Sequence, residues 1–299
     1  MNVSGIVILD KACGITSQKA VTAVKRLFGA EKAGHTGTLD PMATGVLPIL
    51  LGRAVKASEY MLTSEKHYSA TMRLGITTDT EDVTGEILSR SDIIPDEAEV
   101  MAAVNGFIGS YMQTPPMYSA IRVGGKRLME LARKGVSIER EAREVSIYSL
   151  SAKRLSSSDY RLDVHCSKGT YIRTLCADIG KTLGCGAVMA ALRRTEAAGF
   201  TLDAAHSAEE LERLSPEERA ALIIPVERVF EKYRLLRLDP FNARLAKCGQ
   251  ALRLSRLGIE ADCGERLRLS DKNGFFALGE VTHEDGEIKV KPIKQFDIK

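Results

Sequence analysis

Short strand-forming runs alternate along this chain with single helical segments, and that order limits the fold. Residues 68–74 alternate polar and apolar side chains as a half-buried strand does. Residues 18–28 instead place Val21, Val24 and Phe28 at helical spacing, with Thr16 and Ser17 able to cap the helix and Gly29 able to end it. Strands are also expected at 5–9, 86–88, 145–148 and 160–166, and helices at 95–107 and 170–183. The order favours an α+β fold with a mixed, mainly antiparallel sheet flanked by helices over a βαβ repeat.

The composition is that of a globular chain with room for two units. The 299 residues are 44% hydrophobic, which is enough to bury a substantial core. From residue 233 onward, short alternating runs are punctuated by glycines, which predicts a small β domain over 233–299 after a larger domain over 1–232. The cysteines form no CxxC pair and no apolar run is long enough to cross a bilayer, so a cytoplasmic location without membrane contact is expected.

Charge and motif content exclude several functional classes. A net charge of +3 does not by itself indicate nucleic-acid binding, so any basic surface must be local. The histidines lack metal-ligand spacing, and neither GxxxxGK[ST] nor GxGxxG occurs. The polar turn 79–85 is interpreted as a solvated hairpin turn, because Val83 occupies a position that a calcium loop needs for a ligand. We therefore expect no metal and no cofactor, and any enzymatic chemistry would be covalent or acid–base chemistry of side chains.

Asp40 lies in a segment, 34–45, that has neither helical nor strand periodicity and contains three glycines and a proline. Loops of this kind often carry function. An aspartate before proline is by itself most often a turn-former whose carboxylate binds nearby backbone N–H groups. The surroundings favour chemistry, since His35, Thr36 and Thr38 supply donors and the glycines would let a substrate backbone approach closely.

Three further stretches could contact an anion or a base. Tyr171 and Arg173 stand at a predicted helix start, where they could engage such a ligand or could be a core tyrosine and a surface arginine. In 192–194 a leucine precedes two arginines, which suits either phosphate contact or an ordinary exposed face. The cation-rich stretch 122–143 suits either a mobile loop that folds over RNA or solvated charge.

Taken together, these segments closely resemble the bacterial tRNA pseudouridine-55 synthases, the TruB type. The matching segments follow the family's order from the first strand to about residue 200: 5–11, 34–48, 66–68, 113–120, 169–173 and 192–195. The resemblance implies a pseudouridine synthase fold with a small PUA-like C-terminal β domain. It implies an isomerase that flips out a uridine at position 55 of the tRNA T-loop, breaks its N1 glycosidic bond and rejoins the ring through C5.

The resemblance also implies a role for each residue at the site. Asp40 would be the nucleophile, with either the sugar C1' or the uracil C6 as its target. Tyr68 would stack on the target base and is placed to move a proton. Arg173 would pair with Asp40 and keep it ionised. Tyr171 and Leu192 would line the uracil pocket.

The remaining implied contacts concern the RNA as a whole. His35 would occupy or brace the space that the base leaves, while Lys11, Lys56 and the stretch 122–143 would hold phosphates. The partner is expected to be the T-loop and stem of tRNA, with a monomeric enzyme and no obligatory protein partner. Two alternatives stay open: a noncatalytic RNA-binding or RNA-folding protein with a structural Asp40 loop, and a synthase that acts on another RNA together with partner proteins.

Overall fold

The computed structural model describes residues 3–119, 121–132, 134–136, 138–284 and 286–296, without the side chains of Arg122, Lys126 and Arg127. Strands in the first part of the chain are β1 (Gly5–Lys11), β2 (Ala33–His35), β3 (Thr44–Leu51), β4 (Lys66–Leu74), β5 (Ile76–Thr78), β6 (Ile87–Arg90), β7 (Gly109–Gln113), β8 (Arg122–Val123), β9 (Lys126–Arg127), β10 (Arg143–Arg154), β11 (Asp159–Cys166), β12 (Ala187–Ala197) and β13 (Phe200–Thr201).

Within the described residues, nine of these strands form one central sheet. Its order is β1-β3-β12-β4-β11-β10-β7, with β2 paired to β3 and β13 paired to β12. The pair β3–β12 is parallel and the other pairs are antiparallel. Two separate hairpins, β5–β6 and β8–β9, lie outside the sheet. The predicted α+β class with a mixed, mainly antiparallel sheet is confirmed.

Several helices of this part begin at a residue that supplies a side-chain cap. They are α1 (Ser17–Leu27), α2 (Ser58–Leu62), α3 (Glu97–Asn105), α4 (Leu128–Ala132), α5 (Ile172–Thr182), α6 (Ala208–Arg213) and α7 (Pro216–Ala221). The Thr16 side chain accepts a hydrogen bond from the Lys19 N–H at the start of α1, and Gly29 follows the helix with a φ of 60°. The predicted helix 18–28 is thereby confirmed.

The main core lies on one face of the central sheet. The side chains of Tyr68, Ala70 and Met72 on β4 point into it, and α1, α3 and α5 contribute apolar residues from above. β1 is buried on both faces. Its Val7 and Leu9 join this core, whereas its other apolar side chains join a second cluster that reaches the C-terminal sheet. The site described below therefore stands on a rigid, fully packed layer.

A second sheet follows the 3-10 helix Val226–Phe230. Its strands are β14 (Arg234–Arg237), β15 (Leu252–Arg253), β16 (Arg266–Asp271), β17 (Gly274–Glu284) and β18 (Glu287–Gln295), in the order β14-β16-β17-β18-β15. The predicted C-terminal β texture is confirmed, although two helices accompany the strands, α8 (Pro240–Lys247) and α9 (Leu254–Leu257). Across the described ranges, no helix is both long and apolar enough to span a membrane.

Candidate active site

Asp40 lies on the loop 36–43 between β2 and β3, which is shorter than the predicted loop 34–45. Hydrogen bonds to neighbouring segments fix the conformation of this loop. Leu39 exchanges two hydrogen bonds with the Ser17 hydroxyl, at 2.8 and 3.0 Å, and the Gly14 N–H donates to the Pro41 carbonyl at 2.8 Å. The Asp40 side chain keeps 34% of its surface exposed. A rigid backbone thus presents one carboxylate to solvent.

Arg173, in the first turn of α5, meets this carboxylate from the protein interior. Its Nε lies 2.9 Å from Asp40 Oδ2. Its Nη2 donates to the Tyr118 carbonyl at 2.9 Å, and its Nη1 donates to the Thr80 carbonyl at 3.1 Å. The guanidinium is therefore held in place by groups from three segments, and the structure brings together the two residues that the sequence analysis pairs.

A second carboxylate, Asp82, stands behind Arg173 with its Oδ2 3.7 Å from the guanidinium Nη1. Its side chain is 6% exposed and accepts hydrogen bonds from the Thr84 N–H and the Thr80 hydroxyl, both at 2.9 Å. The interpretation of 79–85 as a solvated turn is wrong for Asp82, because the turn folds back onto β12 through bonds to Met189. The result is an Asp40–Arg173–Asp82 network in which Arg173 and Asp82 are buried and Asp40 is partly exposed.

The network sets the charge of Asp40. Burial raises the pKa of Asp40 above its usual range near 4, the Arg173 guanidinium opposes the rise, and the negative charge of Asp82 adds to it. Lys11 opposes the rise more weakly. Asp40 therefore depends on Arg173 to stay ionised in a partly desolvated position.

Tyr68 stands on β4, where its Cα faces that of Arg194 on β12. It is 8% exposed, and burial raises the pKa of its phenol. The charge of the Arg194 guanidinium opposes this rise. Leu192, also buried, lies on the same strand as Arg194. The parallel pairing of β12 with β3 brings this group beside the Asp40 loop.

Tyr171 completes the group at the N-terminus of α5. The Gln113 side-chain amide holds its backbone on both sides, accepting from the Tyr171 N–H at 2.8 Å and donating to the Tyr171 carbonyl at 3.1 Å. Burial raises the pKa of Tyr171, and the charges of Asp40 and Arg173 act on its phenol. Tyr171 therefore borders the same space as Asp40.

The two lysines expected to hold phosphates lie elsewhere. Lys11 is fully buried, and its ammonium donates to the carbonyls of Ala12, Ile15 and Pro41 at 2.9, 2.8 and 3.3 Å. An ammonium has three donors, so the predicted phosphate contact does not fit this geometry, and Lys11 braces the Asp40 loop instead. Lys56 is exposed on the 3-10 helix Gly52–Ala57, where it donates to the Gln295 carbonyl at 3.1 Å.

His35 ends β2 at the start of the Asp40 loop. Its Nδ1 is buried and has no hydrogen-bond partner among the described residues. Burial and the charge of Arg194 lower the pKa of His35, which favours the neutral imidazole. Of the cationic stretch 122–143, residues 133 and 137 and the side chains at 122, 126 and 127 lie outside the described part, so the predicted phosphate contacts there are not placed.

Two features of the site escape sequence analysis. Arg194 is 1% exposed, so its interpretation as part of an exposed or phosphate-binding face is wrong. Gly45 has a φ of 101°, and a Cβ there would lie 2.2 Å from the Arg194 carbonyl oxygen. This glycine is needed for strand packing rather than for substrate approach. Both residues belong to segments that carry the family resemblance, 34–48 and 192–195, and the fold places these two segments side by side.

The chemistry available to this group follows from its members. Asp40 offers a carboxylate that can form a covalent bond and later leave, and Tyr68 offers a hydroxyl that can transfer a proton. Asp40 lies next to the guanidinium of Arg173, and Tyr68 lies opposite Arg194 on the neighbouring strand. Because both guanidinium groups are already fixed in position, little reorganisation is needed during a reaction. Among the described side chains, no group of three or more His, Cys, Asp and Glu residues is arranged to hold a metal ion.

Comparisons with known proteins agree with one another. Residues 25–172 match the model of the TruB family pseudouridylate synthase N-terminal domain, and residues 173–231 match that of the tRNA pseudouridylate synthase B C-terminal domain. A protein of Stutzerimonas stutzeri named tRNA pseudouridine synthase B is 46% identical over 292 residues, which cover 96% of this chain and 94% of the relative. Its namesake in Methylobacillus flagellatus is 42% identical over 281 residues, covering 94% and 92%.

The fold has a counterpart among solved structures. A chain in the crystal structure of a Cbf5-Nop10-Gar1 complex superposes with a TM-score of 0.73 at 26% sequence identity, covering 98% of this chain and 85% of that one. The similarity therefore extends over both sheets.

Proposed function

The chain belongs to the TruB family of pseudouridylate synthases and is an isomerase of uridine in tRNA, and we propose that its target is uridine 55 of the T-loop with Asp40 as the nucleophile. The observation that carries the proposal is the ion pair between Asp40 and the buried Arg173 at 2.9 Å. A structural turn-former would not need a buried cation directed at its free carboxylate. A carboxylate kept ionised in a partly desolvated position has the properties of a nucleophile.

Two routes to the product use the same residue. In the first, an Asp40 oxygen bonds to the sugar C1' as the N1–C1' bond breaks, and the ring then rejoins through C5, which expels the carboxylate. In the second, the oxygen adds to C6 of the base, the glycosidic bond moves from N1 to C5, and elimination from C6 then releases the carboxylate. In both, C5 loses a proton and N1 gains one, so the isomerisation needs no co-reactant.

The other residues act on the flipped base. A uridine inside a folded RNA loop must leave its stack before a side chain can reach C1', C5 or C6. We infer that the buried ring of Tyr68 stacks on the extruded uracil, that Tyr171 and Leu192 line its pocket and that His35 occupies the space left behind. Tyr68 and Tyr171 both lie close enough to Asp40 for its charge to act on their phenols, which supports this assignment.

The direct test uses an unmodified tRNA transcript. We expect the purified protein to form pseudouridine at position 55, located by position-specific mapping, and Asp40→Asn to form none while its Kd for tRNA stays within about threefold of the wild-type value. The exposed Asp92→Asn is the matched control and should behave as wild type. Product at another position would refute the T-loop assignment, and product from Asp40→Asn would refute the nucleophile.

We further propose that the enzyme acts in the cytoplasm as a monomer without a protein partner. The chain covers 92–94% of the length of the two relatives named tRNA pseudouridine synthase B, which supports a catalytic unit of this size. The Cbf5 chain, by contrast, is named in a complex with Nop10 and Gar1. Light scattering coupled to an activity assay of the isolated chain tests the proposal, and activity confined to a dimer fraction or to a mixture with added lysate would refute it.

The second sheet is proposed to form a separate PUA-like unit over 233–299, after a catalytic unit over 1–232. The start of β14 at Arg234, after the 3-10 helix that ends at Phe230, supports this division. Lys56 donates to the Gln295 carbonyl of β18 and stays exposed there, so we retain it as a phosphate contact. Lys56→Gln should weaken tRNA binding and lower the slope of log K against log salt by about 1.

A further inference from the structure

Arg194 has an unusual position for a charged side chain. It is 1% exposed and is the largest of the fully buried side chains among the described residues. Its Nε donates to the Val46 carbonyl at 2.7 Å and its Nη2 donates to the Gly37 carbonyl at 3.1 Å. Among the described residues, its guanidinium thus hydrogen-bonds carbonyls and no carboxylate. Burying a cation without a counter-ion is costly, which calls for a physical reason.

The cation also perturbs its neighbours. Its charge contributes to lowered pKa values of His35 and Lys11, and to that of Lys66, whose pKa falls to about 8, although burial is the larger cause in each case. The positive charge of Arg194 therefore acts on several neighbouring side chains. Such a site stabilises an anion that forms next to it during a reaction, because the surrounding dipoles and charge are already oriented.

The contacts of Arg194 join the parts of the proposed machinery. Gly37 belongs to the loop that carries Asp40, Val46 belongs to β3, and Tyr68 belongs to β4. The register that places Arg194 opposite both Gly45 and Tyr68 fixes these parts relative to one another. Arg194 is therefore placed to act on Tyr68 and on the approach of the Asp40 loop at the same time.

We propose that Arg194 is a positioning residue whose charge, opposite Tyr68 on the neighbouring strand, stabilises the phenolate of Tyr68 that forms during proton transfer from C5 to N1 of uracil. The inference rests on the proposed function. The Tyr68 hydroxyl gives its proton to N1 of the detached ring, and the resulting phenolate takes the proton from C5 after C5 has bonded to C1'. Tyr68 thereby returns to its starting form, and the two transfers balance without another acid or base.

The groups that face the Tyr68 phenol determine the sign of the effect. Burial, the Cys166 thiol on β11 and the carboxylate of Asp40 disfavour the phenolate, whereas the charge of Arg194 on β12 favours it. Loss of the cation must therefore raise the pKa of Tyr68. Any step that forms the phenolate would become slower. The basic limb of the pH–rate profile, where the free phenol loses its proton to solvent, would move to higher pH.

The test is a double-mutant cycle on single-turnover rates with unmodified tRNA. Arg194→Met should lower the rate constant by about 10- to 100-fold, as expected for the loss of an opposite charge beside the phenolate, and should move the basic limb of the pH–rate profile to higher pH. The Kd for tRNA should stay within about threefold. In a Tyr68→Phe background, Arg194→Met should cause less than about a twofold further loss, because its effect passes through the hydroxyl.

Arg194→Lys keeps the cation if the methionine variant does not fold. It should keep the basic limb within about half a pH unit of wild type while its rate falls by less than about tenfold. Arg73→Met removes an arginine of the neighbouring strand β4 that is paired with Asp159, and should leave the rate and the profile unchanged. An equal loss in the Tyr68→Phe background, or an unshifted basic limb in Arg194→Met, would overturn the proposal. Absence of pseudouridine from the wild-type protein would instead overturn the proposed function.

Discussion

The Nε of Arg173 lies 2.9 Å from Oδ2 of Asp40, and the arginine side chain is only 6% exposed whereas that of the aspartate is 34% exposed. The cation is thus desolvated while the anion keeps an open side. An ion pair of this kind gains more from its Coulomb attraction than one on the surface, because water screens it less. It also leaves one face of the carboxylate available to a substrate.

Replacing Arg173 with Met removes the group that opposes the rise in the pKa of Asp40. The pKa of Asp40 should increase further, because burial and the charge of Asp82 then act without that opposition. Since the nucleophile must be ionised, the rate of pseudouridine formation should fall as pH decreases through a higher value than in the wild-type enzyme. Single-turnover rates measured from pH 5 to 9 check this, and an acid limb that does not move upward would contradict it.

Asp82→Asn should move the acid limb in the opposite direction. The negative charge of Asp82 raises the pKa of Asp40, so its removal lowers that pKa. The rate at neutral pH should nevertheless fall by about 10-fold or more, because Asp82 helps to orient the Arg173 guanidinium from 3.7 Å away. The same pH series measures both effects. Asp79→Asn, in the same turn but more exposed, is the control for local distortion.

The elements that sequence reasoning predicted well are those that local patterns determine. The helix α1 has its cap at Thr16 and its apolar residues at helical spacing, and β4 alternates in burial from Lys66 to Leu74. The residues Asp40, Tyr68 and Arg173 came from family motifs, and the fold places Asp40 next to Arg173 and within the electrostatic reach of Tyr68.

The elements that were missed depend on contacts distant in sequence. β12 is rich in alanine, which favours helices, and it is a strand because it pairs with β4 and β3. Arg194 is buried because β12 pairs with β3 and β4, and Asp82 is buried because it pairs with Met189 of β12. No short stretch of sequence contains both partners of these pairs. The phosphate role that the family resemblance implies for Lys11 does not fit its burial, because its ammonium is enclosed by the carbonyls of Ala12 and Ile15 and by that of Pro41, which is distant in sequence.

Gly45→Ala should strongly destabilise the protein. The residue has a φ of 101°, and a Cβ would lie 2.2 Å from the backbone oxygen of Arg194, which cannot move without breaking the pairing of β3 with β12. Strain and overlap together should cost about 2–5 kcal/mol in the free energy of unfolding. Gly184→Ala, at a φ of 74° with no atom near its Cβ, should cost about 1–2 kcal/mol. Denaturant unfolding compares the two, and equal losses would contradict the packing role of Gly45.

Phe230 tests whether the two sheets are stabilised through a shared core. Its ring is fully buried and lies within 5.1–5.7 Å, between centroids, of Tyr60 from the first part of the chain and of Phe275 and Phe296 from the second. Phe230→Ala should lower the free energy of unfolding by about 3–5 kcal/mol through lost burial and the cavity that remains. Phe241→Ala, at a side chain that is 62% exposed, should change it by less than about 0.5 kcal/mol. If the sheets share this core, Phe230→Ala should also separate the unfolding transitions of the two sheets. A single transition with an unchanged midpoint would show that the aromatic cluster contributes little to the stability of either sheet.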